Sequence, residues 1–250
     1  DAGHVVLDAR ERSQDGDSYV YDLDVRDPEG ALVERWEGLT LRAVRKRSGA
    51  GPWVPAMLGS YLERALERAL GGSRAVVVEP DPPGQPVGGT AERRRQTALA
   101  LGRAAGAPVE LRHRPDGKPE VDGIEVSASH TRGLTLAVAG AGVLTCDVET
   151  VLERTEEDWR DLLGPELTAV RDLVAADLGE PLAVAATRVW SAVECIRKTG
   201  STTQALALHS VTPDGWVLLS AGRARIGTWV TTVHGNPDPV VFAVLTGEDD

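Results

Sequence analysis

The sequence predicts an α+β protein in which strands surround helices in both halves of the chain. Residues 19–44 alternate apolar and polar side chains on either side of a turn at residues 27–30, which is typical of a β-hairpin. Residues 55–70 place apolar side chains at helical spacing and are followed by two glycines, which predicts a helix that ends there. Alternation and helical spacing in one chain together indicate the mixed class.

The same two patterns predict the remaining elements. A short apolar strand, "RAVVVEP", precedes a Pro- and Gly-rich loop and a helix over residues 90–105. Strands are predicted through "IEVSASH" and "GLTLAVAGAGVLTCDVE", followed by helices at about residues 155–176 and 181–199, the second bounded by Pro181 and Gly200. Four apolar segments near the end predict further strands. Similar apolar segments late in each half suggest internal duplication.

Composition restricts the class of partner. The formal net charge of −11 argues against nucleic acid or an anionic membrane as the main partner. No apolar run approaches the ~20 residues that span a bilayer. Only two cysteines are present, which excludes a disulfide framework and predicts a cytoplasmic protein. Because the first residue is Asp1 rather than Met, we expect a piece of a longer chain.

The segment "VLTCDVET" contains two carboxylates separated by one residue. In an extended strand Asp147 and Glu149 lie on one face, roughly 7 Å apart along the backbone, and Cys146 and Val148 lie on the other. The apolar run before them predicts an internal strand. Two like charges this close require a counter-charge, which could be a hard cation such as Mg²⁺, a shared proton or an arginine.

A basic stretch interrupts this acidic chain. Lys118 follows a glycine in "GKP", a turn suited to holding a phosphate, although an exposed turn lysine is the simpler interpretation. Residues 92–118 contain only three acidic side chains, and a local excess of positive charge favours a small polyanion site. The basic residues of this stretch are Arg93, Arg94, Arg95, Arg103, Arg112, Arg114 and Lys118.

Two further motifs contain polar side chains with possible roles. In "SASHTRG", His130 and Ser129 could bind a phosphate oxygen, or His130 could be structural; no G-x-S-x-G elbow supports a serine hydrolase. In "WSAVECIRK", Glu194 and Lys198 are one helical turn apart. They predict either a surface ion pair or a third carboxylate near Asp147 together with a lysine that faces phosphate.

Together, "GKP", "SASH", "TCDVE" and "WSAVECIRK" resemble the ordered motifs of 4′-phosphopantetheinyl transferases of the surfactin-synthetase-activating type. The resemblance covers residues 90–250. It implies a pseudo-dimeric two-lobed fold, with lobes at residues 51–140 and 141–250 and extra N-terminal strands at residues 1–50. Residues 19–44 are similar to the closing strands of polyketide synthase dehydratase domains, which implies the C-terminal end of an enediyne-type iterative polyketide synthase.

The resemblance also implies an activity. A holo-[acyl-carrier-protein] synthase transfers 4′-phosphopantetheine from coenzyme A to a serine of an acyl carrier protein, here expected to belong to the same synthase, with Mg²⁺ as cofactor. The implied metal ligands are Asp147, Glu149 and Glu194. The implied catalytic residues are Glu194, Lys198, Glu149 and His130. The implied contacts to coenzyme A are Lys118, Arg93, Arg95, Ser129, His130 and Lys198.

Two alternatives remain open at this point. Val193 replaces a lysine of the transferase motif, which favours a catalytically weakened docking scaffold of the same fold. The front strands instead favour a dehydratase fragment, although the opening, histidine-containing half of that fold is missing. Its catalytic pair cannot be located in this sequence.

Overall fold

The computed structural model describes residues 5–16, 18–42, 52–81, 90–106, 111–114, 118–201 and 205–247. The chain forms two compact units, residues 1–50 and residues 51–250. The predicted boundary near residue 140 therefore falls inside the second unit. The two-lobed arrangement of the resemblance stays a prediction.

The first unit is an antiparallel sheet of three strands. The hairpin predicted at residues 19–44 forms the second and third strands, whereas the sequence did not predict the first. Gly38 adopts φ +69° at a bulge in the third strand, where its backbone N–H donates to Asp22 at 2.9 Å. The strands, in spatial order, are β1 (Val6–Asp15), β2 (Ser18–Arg26) and β3 (Leu32–Arg42).

This sheet has one apolar and one charged face. The strand register places Glu11 and Glu34 on the otherwise apolar face, together with Leu7, Ala9, Tyr19, Tyr21, Leu23, Val25, Trp36, Leu39 and Leu41. The charged face contains Asp8, Arg10, Asp22, Asp24, Arg26 and Arg35. None of the residues described between positions 5 and 42 is buried. The first unit therefore has no hydrophobic core of its own in this part of the chain.

The second unit contains four helices and ten strands in its described residues. Their bounds are α1 (Pro55–Leu70), β4 (Arg74–Pro80), α2 (Thr90–Ala105), β5 (Arg112–His113), β6 (Pro119–Glu120), β7 (Glu125–Thr131), β8 (Leu134–Gly140), β9 (Val143–Thr150), α3 (Glu156–Leu178), α4 (Leu182–Lys198), β10 (Leu206–Val211), β11 (Val217–Ala221), β12 (Ala224–Thr231) and β13 (Val240–Gly247). The strands form antiparallel sheets of order β4-β8-β7 and β10-β11-β12-β13-β9, and a short β5-β6 pair.

Local signals in the sequence set the helix ends. Pro55 begins α1, and Gly71 with φ +71° ends it. Thr155 caps α3 through a capping box with Asp158. The predicted helix at residues 155–176 is bent, because Gly164 adopts φ +72° ahead of a proline, and this kink was not predicted.

Hydrophobic cores cover both faces of the five-stranded sheet. One face packs against α1 and the β4-β8-β7 sheet, and the other packs against α3 and α4. Cys146 and Cys195 are fully buried, one in each core. Burial raises the pKa of the Cys146 thiol to about 12, which fits the predicted role as a small apolar side chain. Strand β9 therefore lies between two cores.

Candidate functional site at strand β9 and helix α4

The side chains of β9 alternate between the two cores as the sequence predicted. Cys146 and Val148 are buried in the core beneath α1. Asp147 pairs across the sheet with Ala243, which belongs to the core beneath α4, so the Asp147 side chain lies on the α4 side. The acidic residues of the motif therefore face helix α4.

Asp147 is a buried carboxylate with a lysine as its counter-charge. The residue is 3% exposed, and its Oδ1 accepts hydrogen bonds from Ser129 Oγ at 2.8 Å and from Lys198 Nζ at 2.9 Å. Its Oδ2 is buried and has no hydrogen-bond partner among the described residues. Since a buried charge is stable only when paired, Lys198 provides the cation that the sequence left open.

Lys198 is held at the end of α4 by two acceptors. Its ammonium group donates to the Cys146 carbonyl at 2.8 Å as well as to Asp147. Burial disfavours the charged ammonium, but the attraction and the hydrogen bond of Asp147, together with the nearby Cys146 and Cys195, outweigh this effect and raise the pKa of Lys198. The surface ion pair between Lys198 and Glu194, one of the two interpretations of this motif, is therefore absent: Glu194 accepts from Arg197 instead.

Glu149 and Glu194 form the second part of the site. Burial, followed by the negative charge of Asp147, raises the pKa of Glu149 to about 6, and Glu194 adds to the increase. Glu194 accepts from Arg197 at 2.5 Å, and the Arg197 guanidinium lies 5.0 Å from the centre of the Trp190 ring. A fraction of the Glu149 side chains is therefore still protonated near neutral pH.

The three carboxylates are neighbours but do not form a ready-made metal site. Among the described residues, no three His, Cys, Asp or Glu side chains are placed to hold one metal ion. The predicted convergence of Asp147, Glu149 and Glu194 on one Mg²⁺ is therefore absent from this arrangement of side chains. Lys198 already donates to the Oδ1 atom of Asp147.

His130 is enclosed by two threonines, Thr97 and Thr135, whose role the sequence did not indicate. Its Nε2 lies 2.8 Å from Thr97 Oγ1, and its Nδ1 lies 2.8 Å from Thr135 Oγ1. Thr97 donates a hydrogen bond to the Arg93 carbonyl at 2.9 Å through its only hydroxyl hydrogen, so its oxygen accepts a hydrogen bond from the Nε2–H of His130. Burial, then the charges of Arg93 and Lys198, lower the pKa of the ring. This environment therefore favours the neutral ring, and both of its nitrogens have hydrogen-bond partners.

A row of hydroxyl groups joins β7 to β9. Ser127 Oγ accepts from the Cys146 backbone N–H at 3.1 Å, and Thr131 Oγ1 accepts from the Thr150 N–H at 3.0 Å. Ser129 occupies the middle position of this row, and its hydroxyl donates the hydrogen bond to Asp147 described above. The i, i+2, i+4 spacing of hydroxyls in "SASHT" could have indicated such a row.

Much of the predicted basic stretch is neutralised by acidic neighbours. Lys118 lies 3.3 Å from Glu125, and its side chain is only 15% exposed. A pocket of about 270 Å³ lies beside it, with basic and acidic side chains in equal number and without the β9 carboxylates. The other pairs are Arg103–Glu79, Arg112–Asp122 and Arg114–Glu120. The arginines Arg93, Arg94 and Arg95 are exposed on α2.

Comparison with known families identifies only the front of the chain. Residues 1–51 match the polyketide synthase dehydratase N-terminal domain, which is 51 of 250 residues. Comparison with curated proteins gives no match. The polyketide synthase context that residues 19–44 predicted is confirmed. No helix in the described part of the chain combines the length and apolar character that a membrane crossing requires.

This match corrects the predicted activity. It points to a dehydratase-type domain of a polyketide synthase and not to a 4′-phosphopantetheinyl transferase, so the predictions of that family and of holo-[acyl-carrier-protein] synthase activity are wrong. It also gives no support to the docking scaffold of the transferase fold or to the enediyne class. Four short motifs were the whole basis of the transferase prediction, and each consists of few residues.

Proposed function

We propose that this chain is a segment of a polyketide synthase in which the first unit belongs to a dehydratase-type domain. Its partner is then an acyl carrier protein of the same synthase, which presents the β-hydroxyacyl thioester. The observation that carries the proposal is the family match over residues 1–51, which includes all three strands of the first sheet.

The first unit is suited to a supporting role in dehydration. Removing water from a β-hydroxyacyl thioester requires a base for the α-proton and an acid for the leaving hydroxyl. The residues described between positions 5 and 42 include no histidine, and Asp22 and Asp24 are held by arginines. We therefore assign to residues 5–42 the shaping of the dehydratase-type domain, and not the acid or the base of the reaction.

A dehydration assay in the synthase tests this function. The carrier protein is loaded with a β-hydroxyacyl group, and mass spectrometry follows the loss of one water. Leu23→Asp, on the apolar face of β2, is expected to reduce dehydration at least tenfold. Val20→Asp, on the opposite face of the same strand, is the matched control and is expected to retain activity. Wild-type dehydration by the Leu23→Asp synthase would contradict the proposal.

We also propose that the β9–α4 site binds Mg²⁺. Three carboxylates lie near one another here, Lys198 already neutralises Asp147, and the mutual repulsion helps raise the pKa of Glu149. The buried Asp147 Oδ2, which has no partner among the described residues, offers a ligand atom. Mg²⁺ prefers carboxylate oxygens and keeps several waters, so Asp147, Glu149 and Glu194 would hold it only after their side chains reorient from the arrangement described above. A phosphorylated ligand such as coenzyme A could then complete the ion's oxygen shell.

Calorimetry tests the cation site. Mg²⁺ is titrated into the full chain at pH 8, where Glu149 is ionised, first alone and then with coenzyme A present. Glu149→Gln and Glu194→Gln are expected to weaken Mg²⁺ binding at least tenfold, because each removes one charged ligand. Glu157→Gln, an exposed carboxylate on α3, is the matched control. Equal binding by all variants, or no binding by the wild type, would remove this proposal.

A further inference from the structure

We propose that the apolar face of the first unit docks against an apolar surface of the remaining part of the dehydratase-type domain. This inference rests on the proposed function and names the partner of that unit. On this face Leu7 is 58% exposed, Trp36 is 46% exposed and Leu41 is 49% exposed. Large apolar side chains are seldom exposed together unless the surface binds something.

The face is continuous across the three strands. Ala9 lies opposite Leu23, and Leu23 lies opposite Trp36, so these three side chains form an apolar row from edge to edge. The adjacent row joins Leu7 to Val25 and ends at Glu34. Tyr19 stacks on the neighbouring tyrosine of the same strand with ring centres 6.4 Å apart. Three strands of about nine residues present roughly 400 Å² on one side, from their spacing and rise per residue.

On the opposite face, charged side chains pair with one another. Arg35 binds Asp24 through two hydrogen bonds of 2.7 and 3.0 Å, and Arg26 binds the same carboxylate at 2.9 Å. Paired charges of this kind are stable in water. Solvent therefore suits the charged face, and the apolar face is the one that requires a cover.

The area indicates which cover fits. Two copies of this chain joined through the apolar faces would bury about 800 Å² in total, below the ~1,200 Å² of stable specific interfaces. An element of the same synthase needs less area, because tethering raises its effective concentration. Residues 1–51 match a dehydratase N-terminal domain, so the rest of such a dehydratase is the tethered element that we propose as the cover.

The chemistry of the covering surface follows from the face. Its centre is apolar around Leu23, which requires an aliphatic or aromatic counterpart. Glu34 lies on β3 opposite Val25, at the margin of the same face. A basic side chain on the partner at this margin would complement it.

Hydroxyl-radical footprinting tests the docking. The modification rates of Trp36 and Tyr21 are compared between the isolated 250-residue chain and the complete synthase. We expect rates at least fivefold lower in the synthase. Leu7→Asp should abolish this protection, whereas Val6→Asp, one residue along on the charged face, should retain it. Equal rates in both samples would overturn the proposal.

Other outcomes identify other covers. If the modification rates of Trp36 and Tyr21 in the isolated chain fall as its concentration rises, a second copy covers the face. If these rates in the isolated chain are already as low as in the synthase at every concentration, residues 51–250 cover it. Either result overturns the proposal. The dehydration assay distinguishes failure of the docking proposal from failure of the proposed dehydratase function. Dehydration without protection overturns the docking alone, whereas protection without dehydration overturns the proposed function and supports the docking.

Discussion

The two units use the same kind of amphipathic strand in opposite circumstances. In the second unit, β9 and β13 have cores on both faces, and Val148 and Ala243 are fully buried. In the first unit, β2 has the same alternation but none of its residues is buried. The comparison shows that alternation specifies which side chains share a face, whereas the presence of a second layer decides whether that face is stable.

Charged groups show the same contrast. Arg188 is 1% exposed, binds Glu180 at 3.0 Å and donates to the Thr228 carbonyl at 2.9 Å. Arg35 binds Asp24 at 2.7 Å, but half of its side chain is exposed. Water can replace the partner of an exposed arginine and cannot replace the partner of a buried one.

The largest expected effect comes from this pair of arginines. Arg188→Ala leaves Glu180 partly buried without its cation, and we expect a loss of about 3–5 kcal/mol in the free energy of unfolding. Arg35→Ala is the control and should cost at most about 1 kcal/mol. Urea denaturation measures both. Equal losses would contradict the difference between the units.

Aliphatic truncation should give the next effect. Leu219 is fully buried beneath α4, so Leu219→Ala should lower the free energy of unfolding by about 2–5 kcal/mol. Leu41→Ala in the isolated chain removes a half-exposed side chain, and we expect less than about 1 kcal/mol. Thermal unfolding of both variants checks this order. A larger loss for Leu41→Ala would mean that its face is already covered.

The smallest effect concerns Glu149 and pH. Its pKa rises from 4.5 to about 6 on folding, so the native state holds a proton that the unfolded state has lost between these values. Wild-type stability should therefore fall as pH rises through this window, by about 1 kcal/mol after allowing for solvent screening. Glu149→Gln should abolish this slope and be the more stable form at pH 7. Parallel pH profiles would show that Glu149 does not titrate in this way.

Local signals were enough to predict many elements. Pro55 and Gly71 mark the ends of α1, and the alternation in β9 correctly separated Asp147 from Cys146. These features depend on residues close in sequence, which is why periodicity and turn chemistry reveal them. The kink at Gly164 was missed, because a glycine inside a helical pattern is compatible with either a straight or a bent helix.

The contacts of the site could not be predicted because their partners are distant in sequence. Lys198 binds Asp147 across 51 positions, and His130 reaches Thr97 across 33. Helical spacing was compatible with an ion pair between Glu194 and Lys198, which was one of two interpretations of this motif. Strand β1 was missed for a similar reason, since its pairing with β2 passes through a bulge that interrupts the alternation.

Trp53 has a consequence for separating the two units experimentally. Its backbone joins the second unit through hydrogen bonds of 2.8 Å to Thr232 and from His234, and its ring lies against Tyr61 and Trp229. A truncation that starts at Gly51 would preserve the contacts among these three aromatic rings, whereas one that starts at Val54 would remove the Trp53 side chain. Expression of the second unit by itself should therefore begin before the tryptophan.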